Sequence, residues 1–126
     1  MIVLLGLSAL SLRAGGDKYI KIVKKGLSIG DVRSMSKVFD RTIDITFSDN
    51  KATTYSKNQA SILLKKFFAK SNAKNFTLRH QGKSHTNNTL YAIGTLYTKS
   101  ANYRVYLFFV PEHKDYLLKE LRFEKL

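Results

Sequence analysis

The chain predicts an α+β domain with helices first and a run of antiparallel strands after them. Three observations carry this. Apolar residues recur at helical spacing through much of the first half. A capping box, Ser56-Lys57-Asn58-Gln59, opens a second helical stretch. From Phe76 onward, apolar runs of strand length are separated by turn-forming segments. Helices segregated in sequence from strands place the helices on one face of an antiparallel sheet.

The elements follow in order. Asp17 is expected to cap a helix in which Ile20, Val23 and Leu27 share a face, with Gly26 and Gly30 interrupting it. Asp31 caps a short second turn carrying Val32, Met35 and Val38 or Phe39. In "RTIDITF", Ile43, Ile45 and Phe47 alternate with Thr42, Asp44 and Thr46, the pattern of a strand with one buried face. "SDNKATTY" reads as a loop, and the helix opened by the capping box runs to about Ser71. Its Ala60, Leu63, Leu64, Phe67 and Phe68 gather on one side, with Lys65 and Lys66 outside it.

After a loop "SNAKN", Phe76, Leu78 and His80 share one parity and so one sheet face. Asn87-Asn88, "KSAN" and Pro111 to Asp115 are turns. In the last strand Leu117, Leu121 and Phe123 face one way, and Leu118, Glu120, Arg122 and Glu124 the other. The two middle strands are apolar on both faces: Leu90, Ala92 and Leu96 oppose Tyr91, Ile93 and Tyr97, while Leu107 and Phe109 oppose Phe108 and Val110. A sheet with one wet face should alternate instead. The expected cover is a second copy, giving a homodimer through the sheet face.

At 126 residues the chain is one domain, able to build a core without metal or disulfide staples. The absence of cysteine excludes disulfides, thiol nucleophiles and Cys-ligated zinc. The formal net charge is +13, from 22 Lys and Arg against 9 Asp and Glu. Between Asp49 and Glu112 there is no acidic residue, while Lys51, Lys57, Lys65, Lys66, Lys70, Lys74 and others fall there. Such a field attracts polyanions, whether nucleic acid, anionic lipid head groups or anionic polysaccharide, and so anionic envelope components; without a recognition motif it also describes a plain solvated surface.

Residues Ile2 to Leu12, "IVLLGLSALSL", carry no charge and are too short to span a bilayer, which takes about 20 apolar residues. Their length suits a secretory signal, so residues 1–16 are expected to be a signal peptide and 17–126 the mature domain, in an extracytoplasmic, periplasmic setting. The alternative is a buried N-terminal helix or strand.

The stretches "YSKNQA", "HQG", "YAIGTL", "YRVY" and "ELRFEKL", in that order and spacing, resemble a bacterial domain of unknown function numbered 4783. That family is found mainly in Bacteroidetes and belongs to the nuclear-transport-factor-2-like, or cystatin-like, superfamily. The resemblance covers roughly residues 17 to 125. It implies a signal peptide, an α+β cone with its N-terminal helices packed on a curved antiparallel sheet, and no assigned activity. The chain departs from the family pattern in its very short charged N-terminal region.

Cones of this superfamily can hold a ligand between helix and sheet, and some are isomerases or dehydratases. Such reactions need a carboxylate or His within reach of substrate. The central strands supply no carboxylate, and Asp44 and Glu120 fall on outward parities. His80, whose parity aims it at the helices, is the remaining acid or base, with Tyr91 and Arg104 as further residues of a pocket or its rim. Each has a plainer alternative. His80 can be a rim or core histidine without an orienting partner. Arg104 and Arg122 can pair across strands with Glu120 or Glu124, and the tyrosines can be ordinary sheet residues. His85 and His113 lie in turns, so no convergent metal-binding set exists and no cofactor is expected. The reading that results is a non-catalytic, extracytoplasmic binding or interaction module. Its alternatives are a small-molecule enzyme using His80 and a polyanion binder; no specific nucleic acid is expected as partner.

Overall fold

A computed structural model describes the backbone at residues 2–48 and 50–126, and side chains at 16–48 and 50–126. The expected signal peptide, residues 1–16, lies outside the described side chains except at Gly16. Helices α1 (Ile2–Ile29) and α2 (Val32–Ser36) are followed by strands β1 (Phe39–Phe47) and β2 (Thr53–Ser56). Helix α3 (Lys57–Ser71) leads into β3 (Ala73–Lys83), β4 (Leu90–Thr98), β5 (Asn102–Glu112) and β6 (Asp115–Lys125). The strands form one curved, unclosed sheet in the order β2-β1-β6-β5-β4-β3. All neighbours are antiparallel except β1 and β6, which run parallel. The α+β expectation holds, with that one parallel pair added to the sheet. Among the described residues no helix is long and apolar enough to cross a membrane.

Local chemistry explains most boundaries. Asp17 does not cap α1; it lies within it, and the helix runs through Gly26 to end at Gly30, whose φ of +70° suits a glycine at a helix end. Gly26 sits where α1 crosses α2: a Cβ there would come within 2.1 Å of Met35 Cγ. Asp31 caps α2 as expected, accepting from the Ser34 N–H (3.2 Å) and the Ser34 hydroxyl (2.6 Å). Both bonds lower its carboxyl below the usual value, the hydroxyl contributing most. The capping box of α3 is complete: the Gln59 N–H donates to Ser56 Oγ (3.2 Å) and the Ser56 N–H to Gln59 Oε1 (3.1 Å). Asn72, in the left-handed region at φ 59°, closes the helix with its N–H on the Phe68 carbonyl.

Two segments read as loops are strand. Thr53–Ser56 is the edge strand β2, paired with Thr42 to Ile45 of β1, and β3 begins at Ala73 rather than after "SNAKN". Both are edge strands, whose exposed polar residues hide the alternation that marks a strand in sequence.

The helices pack on one face of the sheet. Val23 and Leu27 of α1 and Leu64 of α3 are fully buried against Leu96, Leu107 and Leu121, so the interior is filled by side chains. At one end Phe67 meets Phe123 at 4.8 Å and Phe47 stacks on Phe123 at 5.1 Å, with the Tyr103 ring 5.3 Å from Phe67. These centroid separations are those of favourable aromatic pairs, and they close that end. The other end is open.

Bulges set which side chains face the helices. In β6 the register shifts between Phe108↔Glu120 and Phe109↔Leu118, leaving Lys119 as the extra residue. Leu118 is therefore buried inside and Leu117 turns outward, the reverse of the parity expectation. Lys119 uses the irregularity: its Nζ donates to the Thr42 carbonyl (3.1 Å) and hydroxyl (2.8 Å) and lies 3.8 Å from Asp40. That is where β1 itself breaks register against β6, between Phe39 and Asp44.

Candidate interaction surface

Two features could carry function: the open end of the cone and the sheet face turned away from the helices. The open end is a cavity of about 220 Å³ between the start of the described part of α1, β3, β4 and β6, lined by Asp17, Ile20, Gln81, Leu90 and Tyr116 among others. Sequence reasoning placed no carboxylate here, yet Asp17 reaches it. It does so because α1 begins before Asp17, which carries that residue to the mouth; no spacing within the strands could reveal this. Asp17 is exposed, and its Oδ1 accepts from the Gln81 amide at 3.1 Å. Beside it the Tyr19 hydroxyl donates to Asp115 at 2.5 Å. That bond, then burial and the Asp115 charge, raises the Tyr19 phenol above its ordinary value.

None of the three site residues expected from sequence lines this mouth. His80 is displaced by a bulge in β3: Leu78 pairs with Gly94 on the inner face, Arg79 is the extra residue, and His80 pairs with Ile93 on the outer face. The parity that aimed His80 at the helices is corrected by that inserted residue. His80 is exposed, edge-on to the Tyr91 ring at 6.2 Å. Tyr91 also points outward, lying over Gly82, where a Cβ would come within 2.6 Å of its ring. Arg104 pairs across strands with Glu124 (3.5 Å), and Arg122 with Glu120 along β6 (3.9 Å). All three sites therefore belong to the outer sheet face. The structure brings His80 and Tyr91 together there and leaves Arg104 one row away.

That face is ordered in rows. His80, Ile93, Tyr106, Arg122 and Thr46 follow one another from strand to strand, and Gly82, Tyr91, Phe108, Glu120 and Asp44 form the next row. Tyr91, Ile93, Tyr106 and Phe108 thus make a central apolar patch, with the Arg122 guanidinium 5.4 Å from the centre of the Tyr106 ring. A shallow groove of about 170 Å³ runs between them, bounded by Glu120 and Arg122. Charged and polar groups flank the patch on the β3 and β6 sides, and Val110 and Leu117 extend it toward the β5–β6 turn. On the β3 side, Arg79 donates to the Tyr97 hydroxyl (2.8 Å) and to Thr95 Oγ1 (3.3 Å). An apolar centre flanked by polar groups is the anatomy of a protein–protein contact. Sequence parity on β4 and β5 identified this face correctly. Among the described residues no group of His, Asp and Glu is placed to hold a metal ion.

A family model described as "Domain of unknown function (DUF4783)" matches residues 20–124. A solved DUF4783 family protein from Bacteroides ovatus is similar at 28% identity, over 83% of this chain and 93% of that one, with a TM-score of 0.79. Another, from Bacteroides uniformis, is 26% identical over 84% and 95%, with a TM-score of 0.78. An NTF2-like protein of unknown function from Shewanella baltica shares the fold, at 13% identity over 93% and 95% with a TM-score of 0.70. No curated protein matches the chain. With the match spanning nearly all of the packed domain, the chain belongs to the DUF4783 family and has the NTF2-like α+β fold.

Proposed function

We propose that the protein is a non-catalytic, extracytoplasmic interaction module that pairs with a second copy through its outer sheet face. The observation that carries this is the patch of Tyr91, Ile93, Tyr106 and Phe108, on the side of the sheet opposite the helices. Adding a partner of the same shape would cover it with one self-complementary surface. A two-fold axis running along the strands would lay the β3 side of one copy over the β6 side of the other, with Tyr91, Ile93, Tyr106 and Phe108 at the centre of the contact.

The non-catalytic reading is supported by the mouth of the cone. Its carboxylate, Asp17, is exposed and engaged by an amide, and His80 lies on the other face of the sheet. The extracytoplasmic reading is supported by the uncharged stretch Ile2 to Leu12 and by a family match that begins after it, at residue 20.

Native mass measurement of the full chain across a concentration series tests the proposal. A dimer is expected, and Phe108→Lys should convert it to a monomer with an unchanged circular dichroism spectrum. A wild-type protein that stays monomeric throughout would refute the pairing. A discrete small molecule retained in the native spectrum would instead favour the cone as a working pocket.

A further inference from the structure

The helix side of the molecule carries a surface of a different kind. Residues 16–38 and 57–71, which hold the described part of α1, all of α2 and all of α3, contain ten Lys and Arg against Asp17 and Asp31 alone. In α1, Lys18, Lys21, Lys24 and Lys25 occupy the side opposite the buried Ile20, Val23 and Leu27, and all four are exposed. In α3, Lys65, Lys66 and Lys70 are exposed, opposite the buried Ala60, Leu64 and Phe68. Because both helices pack on the same face of the sheet, their outward lysines point to the same side. Among the described residues the ion pairs are made by Arg104, Lys119 and Arg122, all on the strands; no helix lysine lies within 4.0 Å of a carboxylate.

Apolar side chains stand among these cations. Ile62 of α3 is 57% exposed and Ile29 at the end of α1 is 67% exposed. Ile29 and Lys65 line one shallow depression between the two helices, and Ile62 and Lys66 line another beside Tyr55. Lysines flanking isolated exposed isoleucines on helices that lie flat form the pattern of an interfacial contact: the stems and isoleucines enter the headgroup boundary, and the ammonium groups meet lipid phosphates.

We infer that the helix side is a docking surface for an anionic lipid membrane, with the lysines of α1 and α3 as its contact groups. Single-stranded nucleic acid would need aromatic platforms beside the cations. Here the rings beside the helix lysines stand apart on different elements, Tyr19 next to Lys18 and Tyr55 next to Lys66, while Tyr91, Tyr97 and Tyr106 lie on the opposite face of the sheet. The inference needs neither the pairing proposed above nor any property of residues 2–12.

The test is co-sedimentation of the full chain with phosphatidylcholine vesicles, with and without phosphatidylglycerol, over a salt series. Binding is expected only to the phosphatidylglycerol vesicles and should weaken steadily with salt. The triple variant Lys21→Glu, Lys25→Glu, Lys66→Glu should bind about a hundredfold more weakly, and Lys114→Glu, in the β5–β6 turn, should bind as wild type. Because the three lysines are exposed, circular dichroism of the triple variant should be unchanged, which separates lost binding from lost folding. Equal binding to neutral vesicles, full binding by the triple variant, or tighter binding to an oligothymidylate than to the anionic vesicles would each overturn the inference.

Discussion

At the scale of single residues, the packing makes two substitutions diagnostic. Gly94 lies on the inner face of β4, where a Cβ would come within 2.3 Å of Phe76 Cζ and 2.6 Å of the Thr77 carbonyl oxygen. Phe76 is fully packed and the carbonyl is backbone, so neither can move cheaply. Gly94→Ala should cost about 1–3 kcal/mol, read as a lower denaturant midpoint at unchanged slope. Thr46 presents the opposite case. Its Oγ1 is buried without a hydrogen-bond partner, so the hydroxyl is desolvated for no return. Thr46→Val should be neutral or stabilising by up to about 1 kcal/mol in the same measurement. The buried aliphatic positions were legible from periodicity, because Ile20, Val23, Leu27, Ile43 and Ile45 all lie in the core where their spacing put them. His80 was not, since one inserted residue in β3 reverses every parity after it.

At the scale of elements, the caps of α2 and α3 were legible, and the start of α1 and the bulges were not. Asp31 and Ser56 act over three residues of chain, a distance at which sequence and structure are nearly the same thing. Asp31 also carries a pH signature. Its carboxyl is held below the ordinary 3.8, so its contribution is fully present above that value and is lost as pH falls through the folded value. Asp31→Asn retains an oxygen to cap α2 but no titrating charge. The stability difference between wild type and variant should therefore be constant at neutral pH and shrink below about pH 4 in acid titrations. The β6 bulge is instead decided between elements, by Lys119 reaching Thr42 and Asp40 of β1. Lys119→Met should cost about 1 kcal/mol, the ammonium being partly exposed, and should speed amide exchange along the β1–β6 pairing.

For the whole molecule, the two proposed surfaces lie on opposite sides of the sheet. A pair formed through the outer sheet faces would carry its two lysine-rich helix layers outermost, on opposite sides of the assembly. Such a pair cannot lay both layers on one flat membrane, but it can hold two membranes together. The full chain should therefore cluster phosphatidylglycerol-containing vesicles, seen as a rise in turbidity that salt reverses. Phe108→Lys should still bind the vesicles but no longer cluster them. Binding and clustering thus report the two surfaces separately.

The sequence by itself determined the order of the helices and of five of the six strands, the caps of α2 and α3, the identity of most core residues and the doubly apolar middle strands. These depend on period, on nearest-neighbour chemistry and on burial, all local in the chain. Its excess of positive charge was equally plain, though not its place. Tertiary structure decided the rest: the parallel pairing of β1 with β6, the turning of His80 and Leu117 to the outer face, the arrival of Asp17 at the mouth, and the gathering of lysines from two helices onto one side. Each of these joins residues far apart in the chain, and a strand's parity survives only until a bulge, set by the neighbouring strand, adds one residue to the count.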